Sequence, residues 1–231
     1  MRALLRARRR KLLRLSIVIP ALNASATIGE CLSALRGSDE IIVVEGGSSD
    51  DTAQIASRAG AKVITAKRGR GTQLHAGASA ARSDWLLFLH ADTRLGEGWR
   101  AAVAAHVAAN PDQAGYFDLG LDDPAWQARI IERGVAIRVI LLALPYGDQG
   151  LLISRHLYSQ LGGFRPLALM EDVDLARRIG KHRLRRINAT ALTSAERWRR
   201  DGWLRRSTRN LACLALYAIG VSPARLARIY R

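Results

Sequence analysis

The sequence predicts an α/β fold, a mostly parallel central sheet flanked by helices, and two observations carry that prediction. Trp85–Leu89 is a continuous apolar run, too short for a membrane span and too dense for an exposed strand. It reads as a central strand buried on both faces. Around it, short β-branched runs alternate with helical patterns along the chain, which implies right-handed crossovers between parallel strands. In such sheets ligands bind at the carboxyl ends of the strands.

Taken in order, Leu15–Ile19 is the first strand, stopped by Pro20. Asn23 or Ser25 can cap the helix that follows, in which Ile28, Leu32 and Leu35 share a face and Gly37 supplies the stop. Ile41–Val44 is the second strand and runs into EGGSSDDT at 45–52, where glycines allow tight turns and Ser or Asp can cap a helix that ends at Gly60. Val63 and Ile64 mark a third strand, KRGRG at 67–71 reads as a basic loop, and the small residues of 72–82 suit a helix lying close to the sheet. The apolar run 85–89 comes next. One further pleat sets His90 and Asp92 side by side on one face at its end.

Beyond it the pattern predicts a helix over 98–109, a strand over 116–121 and a long, mostly apolar helix over 126–144. Glu132, Arg133 and Arg138 argue against that helix as a membrane span. PYGDQG at 145–150, a strand at 151–154, a short helix ending in GGF and a helix opened by MEDVD at 170–174 complete the set. No repeat or low-complexity linker divides the chain. The expected organisation is one domain over 15–200, a basic arm at 1–14 that is either an interfacial amphipathic helix or a disordered tail, and a basic, partly apolar helical tail at 201–231.

The net charge of +16 is unevenly spread. Residues 1–16 hold seven Lys or Arg and no acid, and residues 177–231 hold fifteen against Glu196 and Asp201, whereas the middle has fourteen bases against eighteen acids. Basic ends around a near-neutral middle suggest an anionic partner, either a phospholipid surface or nucleic acid. Cys31 and Cys213 lie far apart without metal spacing, and no secretory signal is visible, so a reducing cytoplasmic setting is expected.

Several chemistries are excluded. GxGxxG does not follow the first strand, since Leu74 stands where a third glycine after 69 and 71 would be, and neither Walker A nor GxSxG occurs. What remains is acidic: Glu45, Asp92, Glu171 and Asp172, all at expected strand ends or helix starts.

Four segments then carry a family resemblance: SIVIPALN (16–23), EIIVVEGGSSDDT (40–52), GRGTQLHAGASAARSDWLLFLHADT (69–93) and GGFRPLALMEDVDLARR (162–178). Together they resemble the inverting nucleotide-sugar glycosyltransferases of family 2, in a bacterial subgroup, with the Rossmann-like GT-A fold. The resemblance covers most of 15–200 and implies a transferase of hexosyltransferase type. It would move a sugar from a nucleoside diphosphate, UDP foremost, to an acceptor hydroxyl. Ala21, Asn23, Glu45, Gly46 and Arg70 would hold the donor, with Arg70 and backbone amides near the diphosphate. Asp92, the last residue of HAD at the DxD position, would bind Mg²⁺ or Mn²⁺, a hard cation that suits carboxylate and phosphate oxygens. Asp172 would be the general base, with Glu171 orienting the acceptor.

Asp148 and Gln149 resemble an acceptor-side loop, and Arg197 with Trp198 resembles the QxxRW element that closes over a donor. His90 departs from the first DxD Asp and is poorly suited to a hard cation, EGG replaces DDG after the second strand, and Ser194 stands at the Gln of QxxRW, so polymer synthesis is not expected. A lipid-linked acceptor would place the chain peripherally at the inner face of the cell membrane. Two other classes fit parts of the sequence: a catalytically idle GT-A-like nucleotide-binding module, and a basic nucleic-acid-binding protein. The latter leaves the acids unexplained and lacks interleaved aromatics, so no nucleic acid is expected.

Overall fold

The structure is a computed structural model that describes residues 13–230; the basic arm at 1–14 lies almost wholly outside them. The first half follows the expected alternation: β1 (Leu15–Ala21), α1 (Ile28–Ala34), β2 (Glu40–Glu45), α2 (Thr52–Arg58), β3 (Lys62–Thr65), α3 (Arg70–Ala80) and β4 (Trp85–Phe88). Then come β5 (Thr93–Leu95), α4 (Trp99–Ala109), β6 (Ala114–Leu121), α5 (Trp126–Leu142), β7 (Leu151–Ser154), α6 (Arg155–Gln160), α7 (Glu171–Ile179) and β8 (Leu184–Thr193). Three helices close the described chain: α8 (Glu196–Asp201), α9 (Trp203–Ala218) and α10 (Pro223–Tyr230).

The strands form one sheet in the order β3-β2-β1-β4-β7-β6-β8-β5. Pairing is parallel from β3 through β4 and between β6 and β8, and antiparallel where β7 meets β4 and β6 and where β5 meets β8. The sheet must curl. Phe88 and Thr93 are joined by a link that reaches at most ~18 Å, yet β4 and β5 stand four strand spacings apart, ~19 Å in a flat sheet. Curling returns β5 to the carboxyl end of β4, with the HAD turn between them.

Alternation along β1 sorts the two faces. Val18, with Val44, Leu86 and Phe88, packs toward α3, α6 and α7, while Ile17 and Ile19, with Val43 and Leu87, pack toward α1 and α4. The C-terminal tail folds back onto the first of these faces, where Cys213, Leu214 and Leu226 join the same core. The closest approach is at α3: a side chain on Gly77 would overlap Val18 Cγ1 and stand 2.8 Å from Val44 Cγ2.

Two local expectations are corrected. Asn23 and Ser25 do not cap α1, which starts at Ile28 without a side-chain cap. Instead Asn23 sits in the left-handed region at φ 50° and its Oδ1 accepts from the Ser49 amide at 2.9 Å, while the Ser25 amide donates to Asp50. These bonds tie the loop after β1 to the loop after β2, a stronger constraint than one cap. The basic loop 67–71 is also shorter than expected, because Arg70 and Gly71 already belong to α3.

Gly77→Ala should lower stability by about 1–3 kcal/mol through overpacking, whereas Gly134→Ala, mid-helix in α5 with open space around it, should be neutral or stabilising by up to about 1 kcal/mol; urea unfolding of both variants checks the contrast.

Candidate active site

A cleft opens at the carboxyl ends of β1 and β4 and has two chambers. The outer one lies between the loop after β1, from Pro20 to Thr27, and the start of α3 at Arg68–Gln73. The inner one lies between the 146–148 turn, the start of α7 and the C-terminal helices. Arg70, His90, Asp92, Ser194 and Arg197 line both, so Asp92 stands where the chambers meet. Its position follows from the end of β4: the apolar run stops at Phe88, and His90–Asp92 turn across the opening before β5 begins.

Asp92 and Asp172 thus face one cleft, as the sequence resemblance implies. The acids of α7 do different things. Glu171 is 2% exposed and pairs with Arg70 at 3.3 Å. Burial pushes its carboxyl above the usual range, and Arg70 opposes that rise. Asp172 is open to the inner chamber, with Oδ2 accepting from the Gly147 amide at 2.8 Å. Asp174 turns away and pairs with Arg165 and Arg178, anchoring the helix. Gly71 explains why α3 can approach α7, since a Cβ there would collide with Arg165 O and lie 3.3 Å from the Glu171 Cβ. Met170, which precedes α7, is held in the left-handed region at φ 64°, a strained conformation for a bulky side chain.

Six buried polar atoms of cleft residues have no partner among the described residues: His90 Nε2, Asp92 Oδ1 and Asp148 Oδ1 beside the start of α7, and Trp198 Nε1, Arg206 Nε and Asn210 Oδ1 on the wall formed by the C-terminal helices. Burial, reinforced by Arg70 and Arg197, pulls the His90 imidazole well below its ordinary pKa and keeps it neutral. Arg197 approaches Asp92 at 3.7 Å with half of its side chain exposed.

Not every expected residue lines the cleft. Ala21 and Asn23 are on the outer wall, but Glu45 and Gly46 lie behind it. The Glu45 carboxylate accepts from the Gly47 and Ser48 amides at 2.7 and 2.6 Å. Burial works against the ionised form, but hydrogen bonds from Ser48 and the neighbouring amides prevail and hold Glu45 below the usual carboxylate range. Gln149 is 2% exposed and serves its own loop, accepting from Arg138 and donating to Phe117 O at 3.0 Å. Asp148 and Trp198 do line the inner chamber.

Sequence reading missed Gln73, which donates to Ala21 O and Val44 O and so clamps the ends of β1 and β2. It also missed Tyr146, Thr193, Arg206, Asn210 and Tyr230 on the inner wall. Only Gln73 carried a signal, as a polar residue on the inward face of an Ala-rich helix.

The model of the family described as Glycosyl transferase family 2 matches residues 16–128, the stretch that holds β1 to β6 and the end of β4 with its HAD turn. That stretch, just under half of the chain, belongs to the family. The chain is 36% identical over 105 residues to a PGL/p-HBAD biosynthesis glycosyltransferase of Mycobacterium tuberculosis, a match covering 41% of this chain and 40% of that protein. It is 34% identical over 98 residues to an uncharacterized glycosyltransferase of the same organism, covering 42% and 45%. The matched stretch spans less than half the length of these curated relatives.

Solved structures share the GT-A fold. Glucosyl-3-phosphoglycerate synthase from M. tuberculosis, in complex with Mn²⁺, UDP and glucosyl-3-phosphoglycerate, has a TM-score of 0.56 at 23% identity over 76% of this chain and 70% of that one. S. aureus TarS 1–349 has a TM-score of 0.61 at 15% identity over 94% of this chain and 69% of that one. At these identities the likeness is one of fold.

Asp148 also sets a pH dependence. Burial holds its carboxyl up at about 6 against an ordinary 3.8, so the folded chain keeps a proton that the unfolded chain has lost between those values. This group therefore lowers stability as pH rises from about 4 to about 6. Asp148→Asn should melt higher than the parent chain at about pH 7.5, with the gain shrinking toward pH 4, as measured by thermal melts across that range.

Proposed function

We propose that this chain is a metal-dependent inverting transferase that carries a sugar from UDP to an acceptor hydroxyl. The observation that carries the reading is that Asp92 and Asp172, far apart in the chain, line one cleft with Arg70 at its wall. The Mn²⁺ and UDP bound by the mycobacterial glucosyl-3-phosphoglycerate synthase of similar fold support the donor and cation assigned here.

The residues present fit a hard divalent cation. Asp92 offers a buried, unpartnered carboxylate oxygen, and no group of three or more His, Cys, Asp or Glu converges among the described residues. A Mg²⁺ or Mn²⁺ ion held by one or two protein oxygens and completed by phosphate oxygens matches that donor set. When bound, it supplies charge neutralisation to the departing diphosphate. Neutral His90 beside hard oxygen donors is a poor ligand, and its role is to fill the wall against Gly147, where a Cβ would collide with its Nε2.

The chain's own residues divide the remaining work. Ala21 and Asn23 on the outer wall hold the nucleoside, with Glu45 and Gly46 shaping the loop behind them. Arg70 and Arg197 hold the diphosphate at the junction of the chambers, and Trp198 lines the inner one. Asp172, solvent-accessible and oriented by the Gly147 amide, takes the acceptor proton as the hydroxyl attacks from the face opposite the leaving diphosphate, which inverts the sugar centre. Glu171 is too deeply buried and too tightly paired with Arg70 to serve as that base, so it positions Arg70. Asp148 lies on the acceptor side, where a carboxylate can bond sugar or acceptor hydroxyls. The basic ends of the sequence support a lipid-linked acceptor at the inner membrane face.

Calorimetric titration of UDP with and without Mn²⁺ tests the reading. The parent chain should bind UDP with metal coupling, and Asp92→Ala should reduce the coupled affinity at least about tenfold. Asp172→Asn should lower kcat by about 10²- to 10⁴-fold while leaving UDP affinity within about threefold. UDP binding with no turnover over a broad donor and acceptor screen would sink the transferase reading and leave a binding module.

A further inference from the structure

Helix α5 carries a wide apolar face that no other described element covers. Trp126, Ile130, Ile137, Ile140 and Leu141 are 67%, 55%, 57%, 69% and 67% exposed. At helical spacing these five fall within one arc of about 120°. The helix is not loosely attached, because its opposite side is well anchored: Ala128, Ile131 and Val135 pack beside Leu119, Leu121 and Trp198. Glu132 accepts from the Leu121 amide at 2.7 Å, and Arg138 stacks over Tyr146 at 3.5 Å. A firmly docked helix with five large apolar side chains in water marks an interaction surface rather than fraying.

The charges around the arc say what covers it. Arg133 lies on the arc and forms no ion pair among the described residues, while Glu132, the one acid of α5, is turned to the domain. At its C-terminal end the arc runs into a shallow groove where Ile140 meets Lys181, His182 and Arg185. Lys181 and Arg185 are exposed and also without ion pairs among the described residues. An apolar face free of acids and edged with unpaired cations complements an anionic bilayer surface: aliphatic groups enter the acyl boundary, cations stay with phosphates, and a Trp sits at headgroup level. No described helix is long and apolar enough to cross a membrane, so the contact lies in the interface plane.

We propose that the Trp126–Leu141 face of α5 docks the protein on an anionic phospholipid surface. The proposal stands apart from the sugar-transfer reading, although α5 leads through Leu144 and Pro145 directly into the Tyr146–Asp148 wall of the cleft. Docking would hold that wall within a few residues of the lipid.

Vesicle flotation with the full chain tests it. Phosphatidylcholine vesicles with about 30% phosphatidylglycerol should float the protein, pure phosphatidylcholine should not, and added salt should weaken the binding. Ile137→Glu combined with Leu141→Glu should reduce binding at least about tenfold with an unchanged thermal melt, since both side chains are exposed and outside the cleft. Lys181→Glu with Arg185→Glu should weaken binding to the anionic vesicles and reduce its dependence on salt. The proposal is overturned if the parent chain floats with neither vesicle, or if the Ile137→Glu, Leu141→Glu variant floats equally well. It is equally overturned if light scattering shows a stable dimer that this variant converts to monomer, because a second copy is then the occupant.

Discussion

Arg70 is the charge on which the cleft depends. Carboxylates gathered at one rim of a sheet repel, by about 3 kcal/mol for a pair 5 Å apart at an effective dielectric constant near 20. Arg70 pairs with Glu171 and its charge is felt by Asp172 and Asp92, so the cluster is tolerated while two of its members stay open to the cleft. That placement rests on packing. Gly77 lets α3 lie against β1 and β2, Gln73 clamps their ends, and Gly71 lets the start of α3 meet the start of α7. Helix position comes first, and the electrostatics follow from it.

The same logic changes the meaning of the basic tail. Part of its charge is paired within the fold: Arg178 pairs with Asp174, Arg186 with Asp118 and Arg199 with Asp123, while Arg200, Arg206 and Arg209 share Asp201. Arg206, only 5% exposed, also stacks 5.1 Å from the Trp198 ring and donates to the Tyr230 hydroxyl. These contacts make α9 and α10 the back wall of the inner chamber. A count of arginines therefore overstates the field offered to a partner, and the unpaired cations beside α5 matter more than the total.

The parallel half of the sheet was legible because its signal is local. Strands buried on both faces read as short apolar runs, and glycines and acids at their ends punctuate them, so β1 to β4 are found within a residue or two by pattern alone. β8 escaped because Arg185, Arg186 and Asn188 interrupt any simple alternation, and its pairing with β6 carries a register shift between Tyr116 and Asp118. Its stability comes from neighbours on both sides rather than from its own pattern. β5 is three residues long and exists only because the sheet curls back to β8. Of the candidate site, Asp92, Glu171, Asp172 and Arg70 were readable as motif positions, whereas Gln149 looked the same as Asp148 in sequence and differs only in which way its side chain turns.

By itself, then, the sequence determined the fold class, the order of the main elements and which carboxylates stand at strand ends, because burial periodicity and turn chemistry act between near neighbours. Tertiary structure alone decided that Glu171 is held by Arg70 while Asp172 stays open, that Glu45 serves its own loop, and that the tail closes the cleft. It also decided that α5 turns five large apolar side chains outward. Each of these depends on contacts between segments far apart in the chain, or on their absence, and no local pattern encodes them.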